Sequence, residues 1–364
     1  MARYKQFIDN DVLSEAKKRI RHIFDTSDHV VVSFSGGKDS LVVLHLVKEI
    51  AEERGLEKVK VSFYDEEVIP DTVINFVDSY RQLPWVDMMW WAVPMKSEKF
   101  ILGDVRNYVQ WDPSRPHVRP IPEWALTAEK LNLPPKTMVP QYMMEKLITR
   151  GMKGKVAILN GIRASESITR LRASVNKLSE NYINKGKFPN VVFCKPIFDW
   201  QEDDVFKYFY DQKITYCPLY DSQAIVGGGL RVSTPLHAQA AKRIGHWREL
   251  EPDFYDRLMQ VFPEMEVQER YYREYDQGGL IEEFGQSFLT VRRYIDQYIT
   301  DPIQNPLAHS KLELVMTAAK DPRKKDAYPP RYVIKQFITG GYKRGILPLG
   351  EAEKKAFKEK HGAH

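Results

Sequence analysis

VVVSFSGGKDSLVVLHLV, Val30–Val47, sets a small, charged loop between two apolar runs. HVVVSF (29–34) reads as a buried strand, and LVVLHLVKEIAEERG (41–55) as a helix ending at its glycine. The loop between them, SGGKDS (35–40), therefore sits at the carboxyl end of a strand, where parallel sheets bind ligands. The helix start adds backbone N–H groups and the positive end of a dipole. Gly36 and Gly37 let the backbone approach an anion. Ser35 and Ser40 offer hydroxyl donors, and Lys38 a point charge. All of this points to phosphate. The spacing is not that of a Walker A loop, nor of the dinucleotide GxGxxG pattern.

Outward from the loop, strand and helix alternate. VKVSFYD (59–65) is a second buried strand, PDTVINFVDSYRQL (70–83) a helix opened by Pro70 and Asp71, and VDMMWWAVP (86–94) a third strand. KVAILNGIRASES (155–167) returns as strand, turn and helix; NVVFCKPIFDW (190–200) is another strand and QEDDVFKYFYDQ (201–212) an amphipathic helix. The pattern predicts an α/β fold, a mostly parallel sheet with helices on both faces. After about residue 235 the periodicity is helical, so a nucleotide-binding domain of 1–235 and a helical, basic domain of 236–364 are expected. Residues 104–140 break the rhythm: six prolines fall between Pro113 and Pro135, and no period is clear. With Trp111 and Trp124, this stretch is expected to be an ordered, lid-like insertion. Its Arg106, Arg115, His117 and Arg119 mark it as the segment that selects a second substrate.

The chain of 364 residues carries a net charge of +5, but 13 Lys/Arg against 6 Asp/Glu lie from Ser310 onward, so the basic excess is in the tail. There, Arg323, Lys324, Lys325, Arg331, Lys335, Lys343 and Arg344 interleave with Tyr328, Tyr332, Phe337 and Tyr342. Such a mixture suits a nucleic-acid backbone with stacking rings, a protein partner, or a plain solvated face. Cys194 and Cys217 are the two cysteines, far apart, which excludes a disulfide framework and a four-cysteine metal site. No apolar run reaches the roughly 18 residues of a spanning helix, and the first residues lack the apolar core of a signal peptide; a cytoplasmic protein without membrane contact is expected.

SFSGGKDS (33–40) resembles the PP-loop of the N-type ATP pyrophosphatases, a superfamily that includes phosphoadenylyl-sulfate (PAPS) reductases and tRNA-thiolation enzymes. FYDEEVIPDTVINFV (63–77), NGIRASESITR (160–170) and KPIFDWQEDDVFKYFYDQKITYCPLYD (195–221) resemble the second-strand motif, the Gly-x-Arg-x-x-Glu-Ser-x-x-Arg motif and the segment ending Pro-Leu-Tyr-Asp of PAPS-reductase-like proteins. The resemblance spans about 30–225 and implies an adenine nucleotide alpha-hydrolase-like, Rossmann-like fold. It implies ATP or PAPS as nucleotide, with Mg²⁺. Contacts would come from Ser33, Phe34, Ser35, Gly36, Gly37, Lys38, Asp39, Ser40, Tyr64, Asp65, Glu66, Gly161, Arg163, Glu166, Ser167 and Arg170. Lys38, Asp39 and Arg163 would be catalytic, Asp39 also holding Mg²⁺.

Alternatives stay open at several positions. Asp39 is a metal ligand or a charge on the helix dipole. Asp65, Glu66 and Glu67 bind ribose or metal, or face water. Arg163 and Arg170 grip phosphate or sulfate, or Arg170 makes a helix-surface salt bridge, and Glu166 touches ligand or pairs with either arginine. Trp90 and Trp91 are core, or one stacks on adenine.

The chain departs from the family in its thiols. The near-C-terminal Glu-Cys-Gly-Leu-His motif of thioredoxin-linked reductases is missing, and SQAIVGGGLRVSTP (222–235) stands where relatives often have paired cysteines. No iron–sulfur cluster is expected, and Cys217 is a sulfur carrier or simply a half-buried side chain. Three functions remain: ATP-dependent adenylyl transfer with pyrophosphate release, activating an oxyanion or a nucleic-acid group in sulfur metabolism or DNA/RNA modification; a PAPS-binding enzyme that borrows a partner's thiol; and a non-catalytic, nucleotide-gated regulator. Relatives of this stripped kind occur on phages and mobile elements and some accompany a ParB-like protein, so such a partner, and a homo-oligomer, are implied.

Overall fold

The computed structural model describes residues 9–134, 137–167, 170–171, 180–225, 232–272, 277–324 and 326–361. Of the helix expected at the end of 155–167, one 3-10 turn, Ala164–Glu166, is seen, while residues 168–169 and 172–179, residues 226–231 within 222–235, and Lys325 of the tail lie outside the described residues. The chain divides into two units, Met1–Glu98 with Asn107–Pro263, and Lys99–Arg106 with Glu264–His364.

The first unit runs α1 (Val12–Asp25), β1 (His29–Ser33), α2 (Lys38–Glu53), β2 (Val59–Tyr64), α3 (Asp71–Arg81), β3 (Val86–Ala92), β4 (Met95–Ile101), β5 (Asp104–Gln110), β6 (Leu126–Thr127), α4 (Met143–Ile148), β7 (Val156–Asn160), β8 (Ile183–Lys185), β9 (Val191–Cys194) and α5 (Glu202–Gln212), with the distal parts of β4 and β5 counted in the second unit. Seven strands form one sheet in the order β6-β3-β2-β1-β7-β9-β8, and β4 and β5 form a separate pair. All neighbours in the main sheet are parallel except β8 and β9.

The sequence explains these elements. Val31, Val32, Val156, Ala157 and Leu159 are fully buried, as central parallel strands covered on both faces require. The side chain of Asp11 accepts a hydrogen bond from Ser14 N and opens α1, whose buried Ala16, Ile20 and Ile23 recur at helical spacing. α1 packs on α2, and α2 packs on β1, β2 and β7. Apolar side chains all round α2, from Leu41 to Ile50, follow from that double cover. Trp91, Val93, Met144 and Leu147 join in a cluster that seats α4.

Succession β1, β2, β3 steps one way across the sheet, while β7 lies on the other side of β1. The crossovers thus diverge from a switch point between β1 and β7, where the carboxyl ends leave a crevice. The loop 35–40 follows β1 and the stretch 161–167 follows β7.

Two expectations need correction. Residues 104–140, expected as a lid-like insertion without a clear period, carry regular structure: Asp104–Gln110 is β5, and Leu126–Thr127 extends the main sheet beside β3. Tyr108 and Gln110 are buried at the two-residue spacing of a strand, a signal outweighed in sequence by the prolines that follow. The division between units falls at Pro263/Glu264 rather than at 235/236. Trp247, Phe254 and Leu258 are buried, and Arg257 binds Asp71 at 2.5 Å, so the helices of 238–261 belong with the first unit.

The second unit is helical, built around Phe284, Val291, Ile295, Leu312, Val315, Val333, Ile334 and Phe337. No helix among the described residues is long and apolar enough to cross a membrane.

Candidate functional site

The loop after β1 is held open by its own side chains. Ser40 Oγ donates to Gly37 O at 2.9 Å and accepts from Ser35 N at 3.2 Å, while Ser35 Oγ accepts from Gly37 N at 3.3 Å. The two hydroxyls, 3.1 Å apart, thus brace the loop. Gly36 adopts φ +76°, and a Cβ there would meet Val77 and Val73 of α3 at 2.9 and 3.0 Å.

α2 begins at Lys38, so the loop delivers the chain directly into a helix start whose first N–H groups have no intrahelical partner. Lys38 N donates to Tyr220 Oη at 2.9 Å, and the Lys38 ammonium lies 5.2 Å from the centre of the Tyr220 ring. Lys38 is buried, and its Nζ is 3.1 Å from Glu202 Oε1 of α5, a half-exposed carboxylate. Burial raises the Tyr220 hydroxyl pKa, keeping it neutral.

Stretch 161–167 completes the crevice. Gly161 has no room for a side chain: a Cβ would sit 2.4 Å from Asp39 C and Ser40 N. This contact brings the end of β7 against the first turn of α2 and lets Arg163 Nε donate to Asp39 Oδ1 at 2.6 Å. Both side chains are largely buried, at 7% and 13% exposure. Arg163 N donates to Glu166 Oε2 at 3.2 Å, and the same oxygen pairs with Arg170. Ser167 Oγ accepts from Arg170 N at 3.2 Å. Glu166 therefore ties two of the expected anion-binding arginines together, and Arg170 is a partly exposed member of that chain.

The carboxylates after β2 have unlike roles. Asp65 is fully buried; its Oδ2 accepts from Trp90 Nε1 at 2.8 Å, its Oδ1 from Glu67 N at 2.9 Å, and Arg119 pairs with it. Burial pushes its pKa up while Arg119 opposes the shift. Glu67, at φ 64°, is gripped by both terminal nitrogens of Arg115 at 2.7 Å each and accepts from Trp111 N at 2.6 Å. Facing water, one of the readings left open for Asp65 and Glu67, does not hold, and Arg115 and Arg119, expected to face a second substrate, turn to these carboxylates: the four form two ion pairs, Asp65–Arg119 buried and Glu67–Arg115 partly buried, that fasten 111–119 to the end of β2. Glu66, between them, accepts a backbone hydrogen bond from Thr234, and burial lifts its carboxyl to about 7. Tyr64 donates to Gln110 Oε1 at 2.5 Å, and burial raises its pKa. Phe34 is a core side chain packed on Phe76 and Tyr80, so its ring is not a nucleotide contact. Trp90 and Trp91 are likewise core, with indole N–H groups bound to Asp65 and Ser62.

The structure therefore brings Lys38, Asp39, Gly161 and Arg163 together, with Glu166 and Arg170 beside them. Tyr220 and Glu202 were not singled out in the sequence, although both lie in stretches that carry the resemblance. Their role was concealed because 164 and more positions separate them from Lys38.

Cys194 and Cys217 are fully buried, and burial pushes their thiols up to about 12 and about 11. Among the described residues, no group of three or more His, Cys, Asp or Glu comes together to hold a metal ion. Asp39, the loop's own carboxylate, is engaged by Arg163, so these residues do not build a magnesium site by themselves.

A model of the phosphoadenosine phosphosulfate reductase domain matches residues 29–99 and 140–258, just over half of the chain. Among curated relatives, the uncharacterized protein YbdN of Escherichia coli (strain K12) is 28% identical over 268 residues, covering 70% of this chain and 66% of that protein, just under two thirds. Adenosine 5'-phosphosulfate reductase of Staphylococcus epidermidis (strain RP62A) is 23% identical over 246 residues, covering 65% of this chain and 84% of that enzyme. Among solved structures, the FMN adenylyltransferase of Candida glabrata with FAD and pyrophosphate aligns at 15% identity and TM-score 0.37, over 57% of this chain and 58% of that one. The matched residues carry the loop after β1, the end of β7 and the Lys38–Tyr220 contact, and the chain belongs to the phosphoadenosine phosphosulfate reductase domain family.

Proposed function

We propose that the chain binds ATP at the loop 35–40 and transfers its adenylyl group to an oxygen nucleophile, on an oxyanion or a nucleic acid, with release of pyrophosphate. The observation that carries this reading is the convergence of a braced glycine loop, a helix start, Lys38 and Arg163 on the switch-point crevice between β1 and β7. In the step proposed, an anionic oxygen of the nucleophile, which carries no proton to be removed, bonds to the α-phosphorus as the bond from that phosphorus to the α,β-bridging oxygen breaks. The departing pyrophosphate carries the electron pair away.

The protein's task is placement and neutralisation of charge. Lys38 is held under the loop by Tyr220, and a phosphate would take the place of Glu202. That exchange is easy because Glu202 is half exposed and a pair to a solvated carboxylate is weak. Arg163 is oriented by Asp39 at Nε and by Ser165 Oγ, 3.3 Å from one terminal nitrogen, and its planar guanidinium would turn its remaining donors to a phosphate oxygen. Magnesium arriving with ATP would be held mainly by phosphate oxygens and water; no step rests on it.

A second reading, a PAPS- or APS-binding enzyme, is favoured by the adenosine 5'-phosphosulfate reductases among the relatives. It requires a thiol from a partner, because both cysteines here are buried and their thiolates disfavoured. Pyrophosphate release from ATP, measured with sulfate and with single-stranded DNA as acceptors, tests the first reading. Release that disappears in Lys38→Ala supports it. Sulfite release from PAPS on addition of a thiol protein, with no pyrophosphate from ATP, would replace it with the second.

A further inference from the structure

A cleft of about 750 Å³ opens within the second unit, outside the residues that match the family model. Its volume lies in the range of roughly 300–1,000 Å³ typical of small-molecule sites. Three segments build it, around 282–286, 319–331 and 354–358. Four of its lining side chains are cationic (Lys324, Arg331, Lys354 and Lys358) and two are carboxylates, Glu282 and Asp326. Lys358 and Asp326 pair at 2.8 Å, so one of these carboxylates is already engaged.

Lys354 carries the most information. Its side chain is only 13% exposed, yet Glu351, which it meets at 2.8 Å, is 90% exposed. A carboxylate in bulk water offsets little of the cost of withdrawing an ammonium from solvent. An anion inside the cleft would serve Lys354 better. The half-buried Phe357 and the largely buried Tyr328 line the same walls, placing aromatic rings beside the cations. Positive charge for phosphate next to rings for stacking is the chemistry that holds a nucleotide.

We propose that this cleft is a second ligand site, taking a phosphate ester joined to a flat ring: a nucleotide, either free or within a single strand. None of its residues belongs to the loop after β1, and it does not depend on the adenylyl-transfer reading.

The test uses the full chain carrying Lys38→Ala, so that the first site does not report. AMP, an eight-residue thymidine oligonucleotide and inorganic phosphate are titrated calorimetrically. AMP or the oligonucleotide is expected to bind once per chain, and adding Lys354→Ala or Lys324→Ala is expected to weaken that binding about tenfold. Lys324 is exposed, so its variant stays informative should Lys354→Ala fold poorly. Tighter binding of the oligonucleotide assigns the site to a strand, and tighter binding of AMP to a free nucleotide; either supports the proposal. Phosphate alone binding as tightly as AMP would overturn the part played by the rings. Binding of none of the three, or binding unmoved by both lysine substitutions, would overturn the proposal.

Discussion

Gly161→Ala tests the geometry of the crevice with a single methyl group. An alanine Cβ would lie 2.4 Å from Asp39 C and Ser40 N, and 2.6 Å from Asp39 O. Non-bonded carbon atoms settle near ~3.5 Å, so the end of β7 and the start of α2 must part by about 1 Å. The obstacle is backbone on both sides and cannot rotate away, which puts the cost at the upper end of overpacking, about 3 kcal/mol. For a unit of this size that is a fall in Tm of roughly 6–12 °C. The displacement falls on the turn that positions Arg163 against Asp39, so function should suffer beyond the loss of stability. A misplacement of about 1 Å is enough to cost on the order of a hundredfold in rate. The assay is pyrophosphate release at a temperature where thermal denaturation shows the variant fully folded. A variant that melts with the wild type and turns over at its rate would refute the claim that this contact sets the site.

Arg163→Ala would leave Asp39 largely buried without its cation and should destabilise the chain by about 3 kcal/mol, with Asp39→Asn/Arg163→Met recovering part of the loss in urea unfolding. Arg119→Met should cost a similar amount by stranding Asp65, and an unchanged unfolding midpoint would show that the pair does not fasten 111–119. Glu66 makes stability depend on pH: its carboxyl is raised from 4.5 to about 7 in the fold. Below pH 4.5 both states are protonated and its contribution is complete; between 4.5 and about 7 the unfolded chain ionises first, so stability falls as pH rises. Glu66→Gln should therefore gain stability relative to wild type between pH 5 and 8, and parallel unfolding curves would contradict this. Both thiols should resist alkylation at neutral pH until the chain is unfolded; rapid labelling of native Cys217 would reopen the sulfur-carrier role.

The crevice between β1 and β7 was legible because its signals are local. Apolar runs on either side of 35–40 specify a buried strand and a covered helix, and the glycines between them mark a backbone that must come close to something. The sequence around Gly161 and Arg163 repeats that arrangement after β7. What escaped was long-range pairing. Arg115 and Arg119 looked like substrate-facing cations because a sequence does not show which side of a loop turns inward, and their partners Glu67 and Asp65 lie 48 and 54 positions away. Glu202 and Tyr220 were hidden from Lys38 in the same way. The helices of 238–261 were assigned to the wrong side of the boundary for a related reason: an amphipathic stripe records that a helix packs, not which unit it packs on.

Calorimetric titration of the wild-type chain with ATP and Mg²⁺, then with PAPS, each repeated on Lys38→Ala, tests the central claim most directly. The account predicts that ATP binds the wild type, more tightly than PAPS, and that the binding is lost in Lys38→Ala. ATP binding that survives the substitution, or no binding of either nucleotide, would contradict it.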